Sequence, residues 1–125
     1  MEITTFNPLV VTSKGDDVVA LFEALGFEKR HAPVLDEVEQ TASTQEVRLK
    51  NENGFAVDVA YQEGMPRDMT IIRMNVRDFD EAYEVLKKHG FKNTRGEDTI
   101  ENDRVKAATM VAESGLTIAL IEHKR

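Results

Sequence analysis

The sequence contains an internal repeat, and this repeat limits the folds that the chain can adopt. Gly26-Phe27 reappears as Gly90-Phe91 at a shift of 64 residues (90 − 26). The segment that begins at Asn53-Gly54 reappears at Ser114-Gly115 at a shift of 61 residues (115 − 54). Two copies of one supersecondary unit predict a body with pseudo-twofold symmetry. One copy of about 60 residues buries little apolar surface alone, so we expect the two copies to fold together.

The first copy reads as one strand, one helix and three further strands. The predicted strands are 6–12, 27–33, 47–50 and 55–61. Asp16 and Asp17 favour a helix start, because carboxylates complement the free N–H groups there. Apolar residues then recur at helical spacing until Gly26, which ends the helix because glycine accepts positive φ. Asn53-Gly54 predicts the tight turn between the last two strands.

The second copy repeats this order. Its predicted strands are 69–76, 91–94, 105–112 and 116–121, and residues 95–103 are predicted to form a polar loop. Gly90 ends the helix that follows Asp78 and Asp80. The sequence thus predicts a single domain, 1–125, with copies at 1–63 and 69–125 and a linker at 64–68. Two curved sheets, each with a helix on its outer face, predict concave inner faces that enclose a cup.

The charge of the chain excludes several classes of partner. The sequence has 16 Lys and Arg against 23 Asp and Glu, which gives a net charge of −7. Nucleic acids and anionic membranes need clustered positive charge, so neither is an expected partner. The chain has no cysteine, which excludes disulfides and thiolate metal sites.

The sequence predicts a cytoplasmic protein. Its first residues lack the basic and long apolar regions of a signal peptide. No apolar run approaches the roughly 20 residues that span a bilayer. The lack of cysteine fits a reducing compartment.

Several segments at matching places in the two copies resemble a known superfamily. They are 7–13, 25–28 and 53–59 in the first copy, and 75–82, 88–91 and 113–116 in the second. Their order and duplication resemble the vicinal oxygen chelate superfamily, the group of glyoxalase I, extradiol dioxygenases and bleomycin-resistance proteins. The resemblance implies an α+β fold of two tandem βαβββ modules that form a curved eight-stranded mixed sheet, or cup, with helices on the outer face. It also implies a homodimer, in which exposed strand edges are covered.

The resemblance points to four positions at which catalytic members hold a divalent metal. In this sequence they are Asn7, Asp58, Ile71 and Ala119. The side chains of Ile71 and Ala119 have no donor atom, and a catalytic metal normally takes about three protein ligands. We therefore expect neither a metal nor another cofactor. A shift of one residue along the last strand would offer Glu122 or His123, which we expect to be solvated at the chain end.

Asp58 is the sharpest candidate for chemistry. On an apolar strand face, burial disfavours its charged form and makes it a candidate general base. The competing interpretation, which we favour, is an ion pair with Arg73 on the same predicted inner face. Arg73 is also a candidate to bind a ligand carboxylate, and Asn75 is a candidate hydrogen-bonding group beside it.

Other polar residues receive mainly structural interpretations. Arg48 and Lys50 leave the apolar strand face, so they either line the cup or face water, and we favour water. Tyr61 either stacks on a ligand or packs with its hydroxyl in water. His31 is a minor candidate for a base or a ligand contact, and the acidic residues 36–39 form a solvated loop or a cation site.

These residues and the resemblance together predict a metal-independent, glyoxalase- or bleomycin-resistance-like protein that binds a small organic molecule in the cup between its two modules. The predicted ligand-binding residues are Asn7, Leu9, Asp58, Ala60, Ile71, Arg73, Asn75 and Ala119. The alternative is a glyoxalase-like lyase or isomerase with a reduced metal site, or with Asp58 as the base. A third interpretation is an interaction protein whose cup is filled by its own side chains.

Overall fold

The computed structural model describes residues 1–30 and 45–124, and in them the chain forms nine strands and two helices. The strands are β1 (Ile3–Thr12), β2 (Glu28–Lys29), β3 (Gln45–Lys50), β4 (Ala56–Tyr61), β5 (Met69–Val76), β6 (Lys92–Asn93), β7 (Ile100–Glu101), β8 (Val105–Val111) and β9 (Thr117–His123). The helices are α1 (Gly15–Ala24) and α2 (Phe79–Lys88). This order confirms the predicted α+β fold of two βαβββ modules.

Some element bounds differ from the predicted ones. The first strand begins at Ile3 rather than at residue 6, and the last one extends to His123 rather than to residue 121. Residues 95–103 were expected to be a loop, but they contain β7, which pairs with β8 through Ile100 and Ala107. A strand of two residues in so polar a stretch has no hydrophobic alternation by which the sequence could predict it. Residues 31–33 of the second predicted strand lie outside the described residues.

The chain divides into two compact units. The first unit is Asn7–Thr70, and the second combines Met1–Phe6 with Ile71–Arg125. The first six residues therefore belong to the second unit, and the backbone N–H of Arg77 donates to the carbonyl of Glu2 there. The single domain 1–125, with copies at 1–63 and 69–125 and a linker at 64–68, stays a prediction.

Both units have the same strand order and the same register. Strands β2, β3, β4 and β1 are neighbours in the first unit, as β6, β8, β9 and β5 are in the second. Leu9 pairs with Asp58, and Arg73 pairs with Ala119, so the shifts of 64 (73 − 9) and 61 (119 − 58) recur in the backbone. The duplication seen in the sequence is thus a duplication of hydrogen-bonded structure.

In each unit the helix covers one face of the strands, because side chains alternate along a strand. Val19 of α1 packs with the buried Leu49, Val57 and Val59 in the first unit. In the second unit, Phe79 and Ala82 of α2 pack with the buried residues Met74, Met110 and Leu120. The intervening residues of the strands point away from the helix, and we call that surface the helix-free face of each unit.

The start of each helix is held by the last strand of its own unit. In the second unit, the backbone N–H of Phe79 donates to Oε1 of Glu122 at 2.7 Å. At the equivalent place in the first unit, the ring of Tyr61 lies directly against Gly15, where a Cβ would collide with it. The Tyr61 hydroxyl donates to Oδ1 of Asp16 at 2.9 Å. One backbone junction is therefore stabilised by a carboxylate in one copy and by an aromatic ring over glycine in the other.

Neither helix in the described residues is long and apolar enough to cross a membrane. The compartment of the protein stays a prediction.

Candidate functional site

A chain of three polar side chains lies on the helix-free face of the first unit. Asp58 on β4 is only 1% exposed, and its Oδ2 accepts a hydrogen bond from Nδ2 of Asn7 on β1 at 3.1 Å. Its Oδ1 lies 3.5 Å from Nε of Arg48 on β3. The register places these residues together, because Asp58 pairs with Leu9 on one side and with Arg48 on the other. Both carboxylate oxygens are thus engaged within the unit.

The orientation of the Asn7 amide follows from its partners. Its Nδ2 donates to the carbonyl of Pro8 at 2.9 Å as well as to Asp58, and both partners can only accept. The amide oxygen must therefore point the other way. Within residues 1–30 and 45–124, no donor is bonded to this Oδ1, and the whole side chain is 7% exposed. The polar chain therefore ends in an acceptor oxygen.

Arg48 was expected to face water rather than to line the cup, but it is only partly exposed and has a partner on the helix-free face. Its side chain is 28% exposed and forms an ion pair with Asp58. The sequence held the signal, because a hairpin centred on Asn53 places residue 48 opposite residue 58. The predicted ion pair between Asp58 and Arg73 stays a prediction, as does the role of Asp58 as a base.

The second unit holds a different polar pair on its helix-free face. Arg73 on β5 is fully buried, and its Nε donates to Oδ1 of Asn75 at 3.3 Å. Asn75 is 4% exposed. Beside them in the register lie Ala119 opposite Arg73 and Ile121 opposite Asn75. The predicted residues Arg73, Asn75 and Ala119 therefore occupy one face of one unit.

The remaining predicted ligand-binding residues supply apolar surface. Leu9 and Ala60 lie on the helix-free face of the first unit and are 5% and 4% exposed. Ile71 is 9% exposed and lies two residues before Arg73 on the helix-free face of the second unit. Their contact with a ligand stays a prediction.

The side chains at the four metal positions of the fold do not form a metal-binding donor set. Asn7 turns its nitrogen, which is not a metal donor, toward Asp58, and Arg48 occupies the other side of that carboxylate. Ile71 and Ala119 have no donor atom. No group of three or more His, Cys, Asp or Glu residues suited to a metal occurs in the described part of the chain. A catalytic centre normally needs about three protein ligands, so these residues do not fit the divalent metal of catalytic members.

Several other candidates have structural positions. Glu122 and His123 belong to β9 and are half-buried rather than solvated, and Glu122 binds the start of α2. Tyr61 packs on the helix-covered face. His31 and the acidic residues 36–39 lie outside the described residues.

Two charged pairs join elements of the second unit. Lys106 Nζ lies 2.7 Å from Oδ1 of Asp80, and Lys124 Nζ lies 2.6 Å from Oε2 of Glu101. The hydrogen bond with Asp80 raises the pKa of Lys106, and the hydrogen bond with Lys124 lowers the pKa of Glu101. These pairs connect β8 to α2 and β7 to the chain end, so they do not belong to the helix-free face.

Comparison with known proteins identifies the fold. No protein-family model and no curated protein matches the sequence. Among solved structures, a glyoxalase/bleomycin resistance protein/dioxygenase superfamily member from Vibrio splendidus 12B01 is 12% identical, with a TM-score of 0.61 over 97% of this chain and 99% of that one. Methylmalonyl-CoA epimerase from Mycobacterium tuberculosis is 14% identical, with a TM-score of 0.65 over 98% of this chain and 90% of that one.

A third structure is longer than this chain. The Mn(II)-bound glyoxalase from Novosphingobium aromaticivorans is 12% identical, with a TM-score of 0.57 over 98% of this chain and 42% of that one. Likeness at such low identity concerns the fold and not the activity. On these observations the chain has the vicinal oxygen chelate fold, the fold of the glyoxalase/bleomycin resistance/dioxygenase superfamily.

Proposed function

We propose that this protein binds a small organic molecule on the helix-free faces of its strands, and that it does so without a divalent metal. The observation that carries the proposal is the chain from Arg48 through Asp58 to Asn7, which presents one acceptor oxygen on a face of apolar and small side chains. Sites for small organic molecules typically combine a mostly apolar lining with a few oriented polar groups.

Asp58 acts in this proposal as an anchor and not as a general base. A base must reach the proton that it abstracts. Each Asp58 oxygen is already engaged, one by Arg48 and one by Asn7. A carboxylate held from both sides fixes the Asn7 amide, and the amide oxygen then orients the ligand. This arrangement suits a ligand group that donates a hydrogen bond, such as a hydroxyl.

The donor set supports the metal-independent mode. The amide nitrogen of Asn7 faces Asp58, and Ile71 and Ala119 contribute no donor atom. A ligand that binds by apolar contacts and hydrogen bonds can do so while Asn7 stays bonded to Asp58. The fold neighbours support a small-molecule ligand, since they include a glyoxalase and an epimerase. The cup, the homodimer and the cytoplasmic location stay predictions.

A melting-temperature screen of the purified chain tests the proposal. A compound that prefers the native state raises the melting temperature, and we expect a rise with small aromatic hydroxyl compounds such as phenol. Asp58→Asn and Arg48→Gln should weaken the best compound about tenfold, the effect of losing one oriented hydrogen bond to a charged group. Arg77→Gln is the matched control, because Arg77 is 46% exposed and pairs with Glu2 at the surface.

Metal analysis of the same samples tests the second half of the proposal. We expect less than stoichiometric zinc, nickel, manganese or iron, and no change in melting temperature when a chelator is added. One metal ion per chain, with a melting temperature that falls on chelation, would show that the metal-independent mode is wrong. If Arg77→Gln weakens binding of the best compound as much as Arg48→Gln does, the compound does not bind on the helix-free face.

A further inference from the structure

We propose that Asn75 is the specificity-determining donor of the second unit, and that it binds an acceptor oxygen, carboxylate or carbonyl, of an organic ligand. This inference rests on the proposed small-molecule binding and names the chemical group that is recognised. The structural basis is an amide whose orientation is fixed by a buried guanidinium.

The direction of the Asn75 amide is not ambiguous. Arginine can only donate, so the Asn75 atom that lies 3.3 Å from Nε of Arg73 is the oxygen. The NH₂ group therefore occupies the opposite side of the planar amide. Within residues 1–30 and 45–124, this nitrogen donates no hydrogen bond, although the side chain is only 4% exposed. An amide donor that no described residue occupies is free to donate to an acceptor oxygen of a ligand.

The surroundings of Asn75 suit an acceptor oxygen on an apolar body. The hydrogen bond from Arg73 polarises the amide and strengthens its remaining N–H donors. Ile121 and then Ala107 continue the same row of the sheet, so apolar side chains lie beside the amide. Among the described positions of β5, β8 and β9 on this face, no side chain is acidic. A carboxylate or carbonyl therefore meets donors and apolar surface without a competing carboxylate.

The two units differ in what their asparagines offer. Asn7 turns its nitrogen inward to Asp58 and presents oxygen, whereas Asn75 turns its oxygen to Arg73 and presents nitrogen. Recognition of an acceptor oxygen thus belongs to the second unit. A variant of Asn75 should therefore change which probes bind.

Side-chain NMR of ¹⁵N-labelled protein tests this inference. The Asn75 NH₂ signals are identified as the pair that is missing from Asn75→Asp. We expect them to shift when benzoate or acetophenone is added at millimolar concentration, and not when toluene is added. Asn75→Asp exchanges the donor for an acceptor and keeps a partner for Arg73, so it should fold and bind both acceptor probes at least about tenfold more weakly. The loss should be larger for benzoate, since two carboxylates then repel.

Asn93→Asp is the matched control in the same unit. Asn93 is 8% exposed, and its Nδ2 already donates to the carbonyl of Asp98 at 3.0 Å. This variant should lower the melting temperature and leave the affinity for benzoate unchanged. Asn75→Ala serves as a second variant, with the same expected loss for acetophenone.

The outcomes separate the inference from the proposed function. If phenol binds but the acceptor probes leave the Asn75 signals unmoved, or bind Asn75→Asp as well as the parent, the inference is wrong and small-molecule binding stands. If no probe of either kind binds at millimolar concentration, both are wrong. The tighter of benzoate and acetophenone identifies the acceptor as carboxylate or carbonyl.

Discussion

Replacing Glu122 by alanine should destabilise the protein measurably, because this side chain completes the start of α2. Oε1 of Glu122 accepts the backbone N–H of Phe79 at 2.7 Å, and Phe79 is 1% exposed and stacked on Tyr83. A hydrogen bond to a charged group contributes about 1.5–3 kcal/mol. Since Glu122 is half-buried and Asp78 caps the same turn, we expect a loss of about 1–2 kcal/mol. That loss corresponds to a fall of about 4–8 °C in melting temperature for a chain of this length.

Urea unfolding followed by circular dichroism measures this loss as a lower midpoint with an unchanged slope. Glu122→Gln keeps an acceptor oxygen and should lose less than Glu122→Ala. Glu84→Ala is the matched control, since Glu84 lies on α2 but is 62% exposed and pairs with Lys87 at 3.6 Å. An exposed pair of this kind contributes less than about 1 kcal/mol. If Glu122→Ala costs no more than Glu84→Ala, the argument that β9 holds the start of α2 is wrong.

Two further predictions concern the equivalent junction of the first unit. Gly15→Ala should lower the melting temperature, because the overpacking against Tyr61 costs about 1–3 kcal/mol and exceeds the gain of about 1 kcal/mol in helix propensity. Adding Tyr61→Leu to this variant should recover the lost melting temperature. No recovery in the double variant would contradict this reasoning. Burial of the ring, followed by the hydrogen bond to Asp16 and the charges of Asp16 and Glu23, raises the pKa of Tyr61 above its ordinary 10.0. The folded state therefore holds this proton more tightly than the unfolded state, so its contribution to stability is complete below pH 10.0 and is lost as the pH rises above that value. Unfolding free energies measured at increasing alkaline pH should fall less steeply in Tyr61→Phe, and parallel curves for the two proteins would refute the assignment.

The sequence predicted the architecture well because the repeat and the glycines are local signals. Gly26 and Gly90 have φ angles of 102° and 91°, the positive values that only glycine adopts easily. The alternation of side chains along β4 predicted that Asp58 lies on the other face of the strand from Val57 and Val59. The structure confirms that these two valines pack toward the helix. Such features depend on neighbours along the chain, so composition and spacing are sufficient.

Contacts between distant residues were harder to predict. The pairing of Arg48 with Asp58 requires the hairpin register, and an Arg that alternates with apolar residues reads simply as solvated. The bond of Glu122 to Phe79 joins residues 43 positions apart and has no local pattern. The orientations of the Asn7 and Asn75 amides depend on which neighbours can only accept or only donate. Side-chain chemistry at the site therefore followed from tertiary pairing and not from residue type.

The number of residues that separates equivalent positions of the two copies falls from 64 to 61 along the chain, and this has a consequence for redesign of the scaffold. The shift is 64 at β2 and β6 and 61 at β3 and β8, so the second copy is three residues shorter (64 − 61) within one connection only. All strands on either side keep equivalent neighbours. The pairing of β3 with β4 and of β8 with β9 is thus the same despite a connection of different length, so a change of about three residues in that connection should leave these two pairings intact.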